Sequence, residues 1–114
     1  MPAREYRIGS ADERYIKDMA ERAGHLAVRA AGSHGTDVIV FTAHGTYACD
    51  VKRNDWAPPA SRMVMAGWLD HNVWPMLVCV ESGAGRKRRV LWREVLGDGS
   101  MGMPTDVPPW EWES

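Results

Sequence analysis

The sequence is poor in cysteine and lysine, and it has no long apolar run. Its two cysteines, Cys49 and Cys79, lie in apolar surroundings without C-x-x-C spacing, so we expect buried thiols in a reducing cytoplasm and no zinc site. No stretch approaches the ~20 apolar residues that a membrane helix requires. The first residues, MPAREYRIGSADER, also lack the apolar stretch of a secretory signal. These absences predict a cytoplasmic protein that makes no membrane contact.

The composition of the 114 residues, 45% hydrophobic and 25% charged, is that of one soluble globular unit. The net charge of −1 is unevenly distributed, because four of the 15 acidic residues and no basic residue lie in 97–114. Residues 1–96 therefore carry 14 basic and 11 acidic side chains, a net charge of +3. This balance permits nucleic-acid binding without requiring it. We divide the chain into a basic domain, residues 1–96, and an acidic tail containing Pro and Trp, residues 97–114.

The first half of the chain predicts one helix and three strands. Residues 1–9 are expected to form an arm or a first strand, and the capping-box pattern from Ser10 to Glu13 predicts that a helix begins there. Apolar residues recur at helical spacing until Gly24, which is expected to end the helix. Three strands are predicted after it, over residues 25–30, 37–42 and 46–52, and the last two form a hairpin.

The second half predicts a further helix over residues 58–71 and strands over residues 75–81 and 86–94. The order of helix, three strands, helix and two strands indicates an α/β fold with a central mixed five-stranded sheet flanked by helices. The second helix carries more apolar surface than one buried face requires, including Met63 and Val64. A homodimer interface would account for the surplus.

Two carboxylates and a lysine are predicted to converge at one end of the hairpin. Asp50 and Lys52 point to the same side of their strand because side chains alternate along it. A turn centred near residues 44–45 would place Asp37 opposite residues 51–52. Two carboxylates this close repel each other unless a cation lies between them. Mg²⁺, or Mn²⁺ in its place, takes such oxygen ligands, so the three residues suit phosphodiester hydrolysis.

Three segments together resemble the archaeal-type Holliday junction resolvases of the PD-(D/E)xK nuclease superfamily. They are GSADER (9–14), RAAGSHGTD (29–37) and DVK (50–52), in matching order and at nearly matching spacing. The resemblance continues more loosely to about Val95. Asp50 stands where these resolvases usually have Glu. The resemblance implies a restriction-endonuclease-like fold and a homodimer that resolves four-way DNA junctions by paired nicks leaving 5′-phosphates. A prokaryotic cell or a virus-infected host cell would suit such an enzyme.

The resemblance also implies roles for individual residues. It implies that Glu13, Asp37 and Asp50 hold the metal and that Lys52 is the catalytic lysine. Glu13 has an alternative, because it could close the capping box on Ser10. Residues expected to contact DNA are Arg4, Arg7, Arg14, Arg29, Ser33, His34, Arg53 and Arg62.

Two other functions remain open from the sequence. The chain could be another nuclease of the superfamily, acting on linear or forked DNA in repair or restriction. It could also be a module that binds branched DNA without cutting it. An isolated Asp50-Val51-Lys52 triplet favours neither, because the same spacing gives an ordinary surface ion pair worth at most ~1 kcal/mol.

Overall fold

The computed structural model describes residues 3–30, 35–82 and 87–112, with side chains described from residue 10 onward. Within these ranges the helices are α1 (Ala3–Arg22) and α2 (Pro59–Ala66), with short 3-10 helices at Gly67–His71 and Pro109–Glu111. The five strands are β1 (Leu26–Arg29), β2 (Val38–Thr42), β3 (Gly45–Arg53), β4 (Val73–Glu81) and β5 (Arg89–Glu94). Among the described residues, neither helix has the combined length and apolarity needed to cross a membrane.

The strands form one sheet in the order β1-β2-β3-β4-β5. The first three strands are antiparallel neighbours, whereas β4 runs parallel to β3 after the α2 crossover and β5 returns antiparallel to β4. This is the mixed five-stranded α/β fold that the order of predicted elements indicates, so the predicted fold class is confirmed.

Helices cover the two faces of the sheet unequally. The α1 residues Ile16 and Ala20 pack with Val38, Cys49 and other inward residues on one face. On the opposite face, α2 contributes Met65 and Ala66 to a smaller cluster with Leu77. Because α2 packs on β4 through this cluster, part of that face over β1 and β2 stays exposed, as the side chains of Leu26 and Phe41 show.

Helix α1 begins earlier than the sequence predicts. It starts at Ala3, so residues 3–9 are neither an arm nor a strand, and the prediction of a helix start at Ser10 is wrong. The Ser10 hydroxyl accepts a hydrogen bond from the Arg29 guanidinium at 3.0 Å instead of capping the helix. At the other end the prediction holds: Gly24 has φ +92°, and the His25 and Gly24 amides donate to Ala20 and Glu21 carbonyls.

The tail folds back along β5. Backbone bridges join Trp92 to Thr105 and Val95 to Met101. The Trp110 ring packs edge to face against Trp92, with 5.3 Å between ring centroids. The tail therefore bridges the outer edge of the sheet near Met101 and Thr105 and then places Trp110 on the α1 face.

Candidate active site

The β2–β3 hairpin brings Asp37 and Asp50 together. Val38 pairs with Cys49, so continuing the register by one residue on each strand places Asp37 opposite Asp50. The predicted partners, residues 51–52, are off by one or two positions because Thr42 pairs with Gly45 and the turn is centred one residue earlier than expected. This tighter turn brings the two carboxylates level with each other.

The backbone at the start of β2 fixes the position of Asp37. Its Oδ2 accepts a hydrogen bond of 2.9 Å from the Val51 amide. The Asp37 amide donates to the Cys49 carbonyl at 2.8 Å, and the Asp37 carbonyl accepts from the Ala30 amide at 2.8 Å. These three bonds connect Asp37 to β3 and to the end of β1, so its carboxylate is oriented by the sheet rather than by a flexible loop.

Asp50 is a buried carboxylate that lacks a full set of partners. It is 7% exposed, and its Oδ2 has no hydrogen-bond donor among the described residues. Its Oδ1 lies 3.8 Å from the Lys52 Nζ. Burial raises the pKa of Asp50 to about 6; Lys52 lowers it, and the neighbouring Asp37 carboxylate raises it further. Neutralising Asp50 therefore requires either a proton or a cation.

The donor set fits a hard divalent cation. Two adjacent carboxylates, one of them with an unpartnered buried oxygen, are the ligands that Mg²⁺ takes from proteins, with water and phosphate completing its shell. The Cys49 thiol points to the α1 face of the sheet and does not compete for the cation, because burial and then the two carboxylates raise the pKa of Cys49 and keep it protonated. In the part of the chain that the structure describes, no three His, Cys, Asp or Glu side chains form a metal-binding group.

Glu13 does not join this pair. Its carboxylate accepts two hydrogen bonds from the Arg29 guanidinium, the shorter at 3.0 Å, and Arg29 also donates to Ser10. Arg29 lies on the same face of β1 as the buried Ala27, which is the face that α1 covers. Asp50 alternates along β3 with the residues that point toward α1, so its side chain points to the opposite face. The predicted ligands therefore divide into Asp37 with Asp50 and, separately, Glu13 with Arg29.

A second ion pair was not predicted from the sequence. Arg53 donates to both carboxylate oxygens of Asp12, at 3.0 and 2.7 Å, and Asp12 is 2% exposed. Asp12, Ile16 and Ala20 lie four residues apart along α1 and are all buried. That spacing was the available signal, because a carboxylate on the apolar stripe of a helix needs a buried partner.

The residues expected to contact DNA differ in their surroundings. Arg14 is exposed and has no hydrogen-bond or ion-pair partner within the described ranges. The Arg62 guanidinium donates to the Gly99 and Ala57 carbonyls at 2.9 Å, so it joins α2 to the tail. Arg29 and Arg53 are paired with acids. The side chains of Arg4 and Arg7, and the whole of Ser33 and His34, lie outside the described part of the structure.

More basic side chains lie at the same end of the sheet as Lys52. Arg53 is level with Val80, which pairs with Val90, so the start of β5 is next to the end of β3. Lys87, Arg88 and Arg89 are exposed there. Arg88 stacks 4.8 Å from the centre of the Tyr15 ring. These basic side chains share the end of the sheet with the carboxylate pair, but Arg88 lies on the α1 face, opposite to Asp50.

No family model and no curated protein matches the chain. Among solved structures, the chain is similar to Archaeoglobus fulgidus Hjc, a Holliday junction resolvase from an archaeal hyperthermophile, with a TM-score of 0.60 and 16% identity. The superposition covers 72% of this chain and 70% of that one. The two proteins share a fold.

Proposed function

We propose that the protein is a cytoplasmic, metal-dependent DNA endonuclease that resolves four-way junctions by paired nicks leaving 5′-phosphates. The observation that carries the proposal is the convergence of Asp37, Asp50 and Lys52 at one end of a sheet like that of a resolvase. Two carboxylates and a lysine suit phosphodiester hydrolysis, in which a water is activated and charge develops on phosphate.

Asp37 and Asp50 are the proposed ligands for Mg²⁺ or Mn²⁺. When bound, the metal lowers the pKa of a coordinated water and stabilises charge on the phosphate. Asp50 binds a cation as a carboxylate, so its raised pKa favours metal binding, and with it activity, above about pH 6. We propose Glu13 as a third ligand from the sequence, which requires it both to leave Arg29 and to reach from the α1 face around the end of the sheet to the carboxylate pair. The released guanidinium would then be available to a phosphate oxygen.

Lys52 is the proposed catalytic lysine. Its side chain is 44% exposed, and its ammonium lies 3.8 Å from Asp50, too far for a strong hydrogen bond. It can therefore turn toward a substrate phosphate while remaining close to the carboxylates. There it would orient the attacking water or stabilise negative charge on the phosphate in the transition state.

Branched DNA is the proposed substrate, and we assign its phosphate contacts to three groups of residues. Arg14, Lys87 and Arg88 are exposed basic residues on α1 and near the start of β5. Arg4, Arg7, Ser33 and His34 remain proposed contacts from the sequence. In the structure Arg53 donates to Asp12, and Arg62 donates to the Gly99 carbonyl of the tail. We propose that both contribute to DNA binding while they keep these hydrogen bonds.

A homodimer is proposed because the face of the sheet beside α2 has an apolar patch. Leu26, Val28 and Phe41 lie on this face of β1 and β2, opposite the α1 side, and are 62%, 40% and 41% exposed. Met63 and Val64 on α2 are each 56% exposed. A second copy could cover this apolar patch, and two active sites in one assembly suit the two strands cut in a four-way junction.

Cleavage of an end-labelled four-way junction, compared with linear duplex of the same sequence, tests the proposal. With Mg²⁺ we expect paired, symmetric nicks near the branch, no cutting in EDTA, and a rate at least ~10²-fold lower for Lys52→Ala. Asp50→Asn should also fail to cut, whereas the matched control Asp18→Asn, on the exposed side of α1, should cut normally.

The other outcomes separate the alternative functions. Equal cutting of both substrates would retain the nuclease and reject junction selectivity. Tight junction binding without cutting would indicate a DNA-binding module. Wild-type rates for both Asp50→Asn and Lys52→Ala would reject the assigned site.

A further inference from the structure

A cleft of about 690 Å³ lies at the opposite end of the sheet from Asp50 and Lys52. One wall comes from the beginnings of β3 and β4, with Tyr47 and Trp74. The other wall comes from the tail, with Trp110 and Trp112. We call this the aromatic cleft. It has no part in the proposed nuclease reaction, because β3 separates it from the carboxylate pair along its length.

The chain itself holds the four rings of the aromatic cleft in place. Trp74 lies against the backbone of Gly45, where a Cβ would be 3.4 Å from the indole Nε1. The Tyr47 hydroxyl donates to the Pro109 carbonyl at 3.4 Å, and the Trp112 indole donates to the Val107 carbonyl at 2.9 Å. Even so, Trp74 is 53% exposed and Trp112 is 37% exposed. The rings are therefore preorganised but only partly covered.

Two acidic side chains and one histidine, His44, are the ionisable groups of the aromatic cleft apart from Tyr47. Glu94 and Glu111 line it, and no lysine or arginine does. Within the described residues neither carboxylate has a hydrogen bond or an ion pair. Aromatic faces and unpaired carboxylates both attract cations. The same charge repels phosphate, which disfavours stacking of a nucleic-acid base.

We propose that the aromatic cleft binds an arginine side chain carried by a short segment of a partner protein. A guanidinium is planar, so it can stack on an indole and form paired hydrogen bonds with a carboxylate at the same time. A volume of about 690 Å³ exceeds what one guanidinium fills, which leaves room for the residues beside the arginine. The exposed parts of Trp74 and Trp112 provide apolar surface for them. A partner held here leaves the Lys52 end of the sheet free for DNA.

Tryptophan fluorescence titration with three peptide pools tests the proposal. Each pool contains acetylated, amidated heptapeptides with randomised apolar flanks, and the central residue is arginine, citrulline or glutamate. Citrulline keeps the shape of arginine without its charge. We expect the arginine pool to bind at least tenfold more tightly than the citrulline pool, and the glutamate pool not to bind.

Variants assign the binding to the cleft. Glu111→Gln removes one exposed carboxylate with little change of shape, and should weaken binding of the arginine pool at least threefold. Trp74→Ala should weaken it at least tenfold. The matched control Glu21→Gln, on α1, should bind as the wild type does. Equal binding of the arginine and citrulline pools, no binding of any pool, or unchanged binding by Glu111→Gln would overturn the proposal. Equally tight binding of acetyl-arginine-amide alone would indicate a site for a free small cation and would also overturn it.

Discussion

Asp50 is a carboxylate whose surroundings disfavour its charge. It is buried, its Oδ2 has no donor, and Asp37 lies beside it. A residue of this kind destabilises the folded state when it ionises without a cation, and such groups collect at functional sites. The free-energy cost of ionising Asp50 in the folded protein is thus a physical sign of a role beyond folding.

The titration of Asp50 predicts a particular pH dependence of stability. The folded protein raises its pKa from 3.8 to about 6, so the fold favours the protonated form. The stability that this contributes is present below about pH 4 and is lost as the pH rises through about 6. Without metal, Asp50→Asn should therefore exceed the wild type in free energy of unfolding at pH 7.5 by on the order of 2 kcal/mol, with little difference at pH 4.

Urea unfolding of both proteins across pH 4–8 measures this difference. Mg²⁺ should stabilise the wild type at pH 7.5 and leave Asp50→Asn unchanged, because only the wild type has both carboxylates. Asp18→Asn serves as the exposed control. A difference between wild type and Asp50→Asn that does not vary with pH would contradict the prediction.

The sequence predicts the convergence of Asp37, Asp50 and Lys52 because strand alternation and hairpin pairing are local rules. It misplaces the pairing by one or two positions because the turn centre cannot be read to a single residue from Ala43-His44-Gly45. It does not predict the Asp12–Arg53 pair, whose partners are 41 residues apart. Such contacts depend on how α1 crosses the sheet, which no local pattern specifies.

Two ion pairs attach α1 to the sheet. Glu13 reaches Arg29 on β1, and Asp12 reaches Arg53 at the end of β3. They occupy adjacent positions on the helix and bind strands separated by β2, so together they fix the rotation of α1 about its axis. Both acids belong to the capping-box pattern of GSADER, which lies within this helix rather than at its start.

Breaking the buried pair should be costly. Asp12→Ala leaves the Arg53 guanidinium without its carboxylate in a partly buried position, and we expect a loss of roughly 3 kcal/mol in the free energy of unfolding. The exposed Lys17–Glu21 pair on the same helix is the matched comparison, and Glu21→Gln should cost at most ~0.5 kcal/mol. Urea denaturation of the two variants measures both values. Similar losses of unfolding free energy in the two variants would show that the burial of Asp12 does not strengthen its ion pair.

Across the whole molecule, one face is incompletely covered. The apolar patch on β1, β2 and α2 carries the proposed homodimer. Placing a charge there with Leu26→Lys should shift the protein from two copies to one in sedimentation velocity, because burying an unpaired ammonium is unfavourable. Met103→Lys is the control, since Met103 is exposed on the tail away from the patch. A wild type that sediments as one copy at micromolar concentration would contradict the prediction.

The two outer strands of the sheet differ in how open they are to pairing with a strand of another molecule. The tail pairs with β5 through Thr105 and Met101, whereas β1 is the last strand on its side and offers unpaired backbone groups. Among the described residues, β1 is therefore the edge that is more open to pairing with a second molecule, and pairing of two β1 strands would leave only the partly covered β5 edges facing outward. By bridging β5 at two positions, the C-terminal segment disfavours the open-ended addition of further molecules at that edge.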